Sequence, residues 1–129
     1  MRIFRDFNFE AAHHLPHVFP DGHKNHRLHG HSFRVRITLE GRPDKDTGLI
    51  ADLEAVIERI KETRESLDHH YLNDIEGLEI PTLENLCIWI WKSIAPEFPA
   101  LSQVGVYRDS CNEGCEYNGE FEEREIPHE

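Results

Sequence analysis

The run Leu28-His29-Gly30-His31-Ser32-Phe33-Arg34-Val35-Arg36-Ile37-Thr38-Leu39-Glu40 constrains this chain more than any other. From Phe33 onward, apolar Phe33, Val35, Ile37 and Leu39 alternate with Arg34, Arg36, Thr38 and Glu40. A period of two over that length predicts a β-strand with one face buried. Carried backwards, the same parity puts His29 and His31 on the apolar face. Side chains two apart on one strand face sit roughly 7 Å apart at their Cα atoms. Two imidazoles so placed can converge on one metal ion, with Gly30 between them expected to admit close approach.

A second strand is expected over residues 2–13, where Ile3, Phe7, Phe9 and Ala11 share odd parity against Asp6, Asn8 and Glu10. That parity turns His13, and not His14, inward. Two strands then deliver His13, His29 and His31 to one interior. Three histidines with a fourth position open are the ligand set of a catalytic zinc site. Neutral imidazole also suits other transition metals, and zinc is the favoured ion.

Composition narrows the class. With 129 residues, the chain is expected to form one domain over residues 1–120, followed by an acidic tail over 121–129. A formal net charge of −11 argues against a nucleic-acid partner, since phosphate neutralisation needs clustered Lys and Arg. No apolar run approaches the ~20 residues that span a bilayer, and Met1 to Asp6 lacks a signal-peptide stretch, so a cytoplasmic location is expected. The three cysteines make no disulfide framework. Histidine is the anomaly: ten in all, with His13, His14, His17, His23, His26 and His29 preceding Gly30. The segment between the two strands carries Lys24 and Arg27, local positive charge suited to a phosphorylated or otherwise anionic substrate.

The rest of the chain predicts two helices and a hairpin. Asp52 caps a helix over residues 52–66 with Leu53, Val56, Ile57 and Ile60 as its buried stripe. Thr82 caps a second helix, with Glu84 in its first turn and Leu83, Leu86, Cys87, Ile90 and Ile94 facing the core. Residues 103–107 make a third strand, and a hairpin ends near Glu116 to Gly119 with Cys111 and Cys115 in its turn. Between the helices, Asp68 precedes His69, an acid placed to orient an imidazole and stabilise its protonated form.

The segments Phe9-Glu10-Ala11-Ala12-His13, His29-Gly30-His31-Ser32-Phe33, Leu67-Asp68-His69-His70-Tyr71-Leu72-Asn73 and Pro81-Thr82-Leu83-Glu84-Asn85 follow one another in an order that resembles the 6-pyruvoyltetrahydropterin and 6-carboxytetrahydropterin synthase family. The bacterial branch serving queuosine and other deazapurines is the nearer match. The resemblance implies an α+β tunnelling fold (T-fold) in ββααββ order, an antiparallel sheet with two helices on one face. It implies a homohexamer, a dimer of trimers with active sites at subunit boundaries. It makes His13, His29 and His31 zinc ligands, Asp68 and His69 a proton relay, and the vicinity of Thr82 and Glu84 a pterin pocket. A further carboxylate after the third strand would grip the pterin ring. The implied reaction converts 7,8-dihydroneopterin triphosphate to 6-carboxytetrahydropterin, acetaldehyde and triphosphate; pyruvoyl-forming elimination, aldolase-type cleavage and a catalytically silent zinc- and pterin-binding protein are the alternatives.

Two positions depart from that pattern. The family's general-base cysteine lies four residues before the first histidine of the His-Gly-His run, and Asn25 stands there. An amide does not titrate near neutral pH, so His23 or His26 is the expected replacement base. The ring-gripping carboxylate falls on Asp109 when counted back from Cys111, and on Arg108 when matched by the strand. Asp109 is preferred, because a carboxylate accepts both N–H donors of a guanidine-like ring edge.

Overall fold

The computed structural model describes residues 1–15 and 28–122. Its elements run β1 (Arg2–His13), β2 (His29–Glu40), α1 (Leu53–Leu67), α2 (Leu83–Ile94), β3 (Leu101–Arg108) and β4 (Glu113–Tyr117), with a short 3-10 turn at Leu72–Asp74 between the helices. The strands form one antiparallel sheet in the order β1-β2-β3-β4. This is the expected ββααββ arrangement.

Alternation decides which face is buried. Phe7, Phe9, Ala11 and His13 of β1 and Phe33, Val35, Ile37 and Leu39 of β2 are all buried, and the Phe9 and Phe33 rings stack at 4.8 Å as cross-strand partners. The helices cover that face: Val56, Ile60 and Leu67 of α1 and Leu83, Leu86, Cys87, Ile90 and Ile94 of α2 join the same core. Both helices begin as expected, with the Asp52 carboxylate accepting from the Glu54 amide and the Thr82 hydroxyl from the Asn85 amide. The α1 stripe differs at its start. Leu53 is exposed, and burial continues instead through Thr63, whose hydroxyl shares a 2.8 Å hydrogen bond with Ser93 of α2. A helix's first turn overhangs the sheet it lies on, so helical spacing alone does not locate where contact begins.

Two further differences lie in β3 and β4. Thr38 pairs with Gln103 but Leu39 pairs with Leu101, leaving Ser102 as an extra residue; this bulge lets both Leu101 and Val104 point inward and hides the strand's start from an alternation test. Cys115 sits within β4 and not in the turn, which comprises Asp109–Cys111 and Asn112 in a left-handed conformation. On the outer face, the Tyr107 ring lies across Gly105 and Gly114, where a Cβ at either glycine would overlap it. Glu116 accepts from the Tyr107 hydroxyl at 2.7 Å, and the Arg34 guanidinium sits 4.3 Å over the ring, so the ring has no easy retreat. Gly105→Ala is therefore expected to destabilise the protein by about 1–3 kcal/mol, the usual range for overpacking, read as a lowered denaturant midpoint. No helix among the described residues is long and apolar enough to cross a membrane.

Candidate active site

The β1–β2 register places the histidines. His13 pairs directly with His29, and His31 pairs with Ala11 one inward step along the ladder. One nitrogen from each of the three rings falls within 4.8 Å of those of the other two. The rings meet edge to face, with centroids 4.6 to 5.1 Å apart. His13 is buried, and its Nδ1 lies 2.9 Å from the Pro81 carbonyl oxygen at the start of α2. A carbonyl only accepts, so Nδ1 carries the proton and Nε2 presents its lone pair towards the other histidines. Such a backbone anchor fixes tautomer and ring orientation in metal-ligating histidine. Burial, with neighbouring histidines and Arg108, pushes the His13 pKa down to about 4; burial and Arg108 do the same to His31. Both rings are held neutral, the state a metal requires. The donor set can hold a metal ion.

Gly30 has a role other than the expected one. A Cβ there would meet only the Ala11 carbonyl oxygen, at an ordinary 3.7 Å, so close approach of the strands does not demand glycine. It lines instead an open cleft of about 480 Å³ shared by His31, Ser32, Glu10, His69 and Tyr71.

The opposite wall of that cleft is the segment after α1, which runs along the free edge of β1. The His69 amide donates to the Glu10 carbonyl, the Ala12 amide to the His70 carbonyl, and the Glu10 amide to Asp68 Oδ1 at 2.9 Å. Asp68 Oδ2 accepts from His69 Nδ1 at 2.9 Å and pairs with Arg64 at 3.2 Å. Arg64 also donates through Nε to the Asn8 carbonyl, tying α1, β1 and Asp68 together. The Glu10 amide foremost, then His69 and Arg64, hold the Asp68 carboxyl below the usual carboxylate range. His69 itself adopts φ +58°, a left-handed conformation that costs a non-glycine residue of order 1 kcal/mol or more and is found most often at functional sites. The strained backbone turns an imidazole, oriented by an ionised carboxylate, into the cleft that His31 also lines.

The other expected site residues lie as follows. Thr82 follows Pro81 and so stands one residue from the His13 anchor, its hydroxyl engaged as the α2 cap. Glu84 is exposed in the first turn of α2; burial raises the thiol pKa values of Cys87 and Cys115, and the Glu84 charge adds a smaller push in the same direction. Asp109 is held bidentately by Arg34, at 2.9 and 3.2 Å, on the outer face. Arg108 turns the other way, with Nη1 3.4 Å from His31 Nε2 and Nη2 2.6 Å from Glu113. Of these two neighbours, Arg108 is the one in contact with the triad. His23, Lys24, Asn25, His26 and Arg27 lie outside the described residues.

The profile of the 6-pyruvoyl tetrahydropterin synthase family matches residues 2–120. The chain belongs to this family. It is 38% identical over 121 residues to a 6-carboxy-5,6,7,8-tetrahydropterin synthase of Synechocystis, an alignment covering 89% of this chain and 91% of that protein. A dihydroneopterin monophosphate aldolase of Pyrococcus furiosus is 31% identical over 121 residues, covering 94% and 96%. In fold, the 6-pyruvoyl tetrahydropterin synthase of Caenorhabditis elegans superposes with a TM-score of 0.82 at 24% identity, over 92% of this chain and 95% of that one. As a family member, the chain is expected to process a pterin, and the T-fold is that of its structural relatives.

Glu10, Arg64 and Pro81 are site residues to which sequence reasoning gave no role, and Arg108, weighed there only as the alternative to Asp109, was not placed beside the histidines. The first and third act through backbone groups, which leave no mark on residue type. Arg108 did leave a signal: it continues the inward parity of Val104 and Val106.

Proposed function

We propose that this protein is a zinc-dependent pterin lyase that converts 7,8-dihydroneopterin triphosphate to 6-carboxytetrahydropterin with release of acetaldehyde and triphosphate, in the supply of deazapurines such as queuosine. One observation carries the reading: the cluster of His13, His29 and His31 reaches one wall of a cleft through His31, and an Asp68-oriented His69 lines the same cleft. The similarity to the Synechocystis protein supports the same choice of product.

Zinc, held by His13, His29 and His31, would supply Lewis acidity towards side-chain oxygens and so acidify adjacent C–H bonds. The protein's own part is proton handling and placement. Asp68 keeps the proton of His69 on Nδ1, which leaves Nε2 free to take a proton from the substrate side chain and return it elsewhere. The ionised Asp68 then stabilises the imidazolium. His23 or His26 stands in for the absent cysteine as second base, while Lys24 and Arg27 receive the phosphates. Thr82, Glu84 and Asp109 remain the proposed contacts to the pterin ring. Homohexamer assembly and a cytoplasmic setting belong to the same proposal; light scattering tests the former.

A second reading has a specific observation behind it. The Pyrococcus aldolase aligns over nearly the whole chain, and Asn25 removes the thiol on which the first reaction ordinarily depends. Retro-aldol cleavage needs the metal and one relay but no such thiol. Incubation with 7,8-dihydroneopterin triphosphate, and separately with the monophosphate, followed by product identification separates the readings. Acetaldehyde with 6-carboxytetrahydropterin supports the first; glycolaldehyde phosphate supports the second. No product with retained pterin binding marks a silent binding protein. Asn25→Cys is expected to raise acetaldehyde release at least ~10-fold if the thiol limits the reaction, within the ~10²–10⁴ that a general base contributes. His23→Ala and His26→Ala, measured singly, are expected to show which histidine has taken its place through a loss of similar size.

A further inference from the structure

Arg108 sits where a cation beside a metal ion would be costly. Its guanidinium is within hydrogen-bond distance of the triad, its side chain is only 15% exposed, and its Nε is buried with no hydrogen-bond partner among the described residues. The buried donor is an observation that the fold leaves unexplained, since polar atoms at such depth are normally paired.

The valence of histidine decides what becomes of the neighbouring Nη1 group. Arginine only donates, so His31 Nε2 must accept, and in the metal-free protein it offers its lone pair to Nη1 of Arg108. A neutral imidazole has one such lone pair. If a metal takes it at Nε2, Arg108 is displaced; if the metal binds at Nδ1, the proton moves to Nε2 and faces the Arg108 N–H groups. On either nitrogen, metal occupancy ends the Arg108–His31 contact. Glu113 holds only Nη2, so among the described residues Nη1 is then without an acceptor, next to a dication bound by three neutral ligands.

We infer that Arg108 is an anion clamp that metal binding arms: with the triad occupied, the Nη1 group released from His31 receives an oxyanion, a carboxylate or phosphate group, alongside the metal. An oxyanion is the ligand that satisfies both partners, because it offers oxygen lone pairs to the metal and to the Nη1 N–H group at once. The site would thereby select pterins whose side chain presents, or acquires, such a group near the reacting carbons. The inference rests on the metal-centre reading and not on which pterin reaction follows.

Linkage makes it testable without turnover. Metal and anion must each raise the other's affinity by the same factor. The Co2+-loaded protein is titrated with acetate and, separately, inorganic phosphate, following the visible absorption of Co2+; Co2+ affinity is measured with and without each anion. The expected result is saturable anion binding in the wild type that falls at least ten-fold in Arg108→Gln, with Co2+ still bound. Response to acetate alone identifies a carboxylate clamp, and response to phosphate alone a phosphate clamp. Glu113→Gln, at a half-exposed position, frees Nη2 and is expected to tighten anion binding several-fold; it decides the matter if Arg108→Gln does not fold. Anion affinity unchanged in the folded variants overturns the clamp alone. Failure of the wild type to bind Co2+ overturns clamp and metal centre together, whatever the pterin assay gives.

Discussion

His29→Ala is expected to strip the protein of its metal while leaving the fold in place. His29 is partly exposed at the first position of β2, so losing its ring opens no cavity in the core formed by Phe9, Phe33 and the helices. It does remove the cross-strand partner of His13, whose Nε2 lies 3.0 Å from that of His29. Loss of one of three protein ligands should cost more metal affinity than the roughly 10–100-fold that follows loss of an outer-shell partner. Metal analysis after gel filtration should fall from about one ion per chain to background, and pterin turnover with it; full retention of metal would overturn the triad as the ligand set. Proton competition gives the pH form of the same prediction. His13 and His31 have pKa values near 4 in the metal-free fold, below the ordinary 6.5. A histidine whose folded value is depressed favours the neutral folded state at high pH, so the unfolded chain takes up protons first as pH falls. Metal-free wild type should therefore lose stability between about pH 6.5 and 4. Bound metal should oppose that loss until protons displace it, seen as melting curves with and without metal that diverge most near neutral pH.

That triad was legible because two strands each carried their own register mark. Phe7-Phe9-Ala11 and Phe33-Val35-Ile37 fix inward parity independently, and both parities end on histidine at the same end of the ladder. The caps at Asp52 and Thr82 and the α2 stripe were legible for a related reason: each is a local pattern whose partner lies within a few residues. What escaped depends on distant backbone. Nothing in the sequence says that the Pro81 carbonyl will meet His13, or that Glu10 will hold both Asp68 and His69 through its peptide groups. The bulge at Ser102 is a property of pairing with Thr38 and Leu39, so it is invisible in β3 alone. Arg108 is the instructive case. The step from Val104 to Val106 to Arg108 was as regular as that leading to His13, yet a charged residue at a strand's end is normally read as turning to solvent. Only the neighbouring imidazole shows why it turns inward.

Asp68→Asn is expected to lower kcat by about 10²–10⁴-fold, in the range set by removing a positioned acid–base function or its orienting carboxylate. The geometry says why so small a change should do so much. Asp68 Oδ1 takes the Glu10 amide, and Oδ2 takes His69 Nδ1–H and Arg64. Asparagine has one acceptor oxygen. If that oxygen keeps the Glu10 amide, the NH2 group faces His69 Nδ1, and the imidazole must move its proton to Nε2 to accept from it. Nε2 then points into the cleft already protonated and cannot act as a base. Metal content should be unchanged, since no triad residue touches Asp68 in the described structure, and KM should move far less than kcat. A merely structural role would instead appear as parallel loss of stability and metal. The pH behaviour adds a check with a defined sign. The folded Asp68 pKa is depressed, so its contribution to stability is complete above the ordinary carboxylate value of 3.8 and disappears as pH falls through the lower folded value. Asp68→Asn should thus unfold less steeply with acid than wild type does below pH 3.8. An unchanged kcat in a folded, metal-loaded Asp68→Asn protein would remove His69 from the relay and return the proton chemistry to the residues between the first two strands.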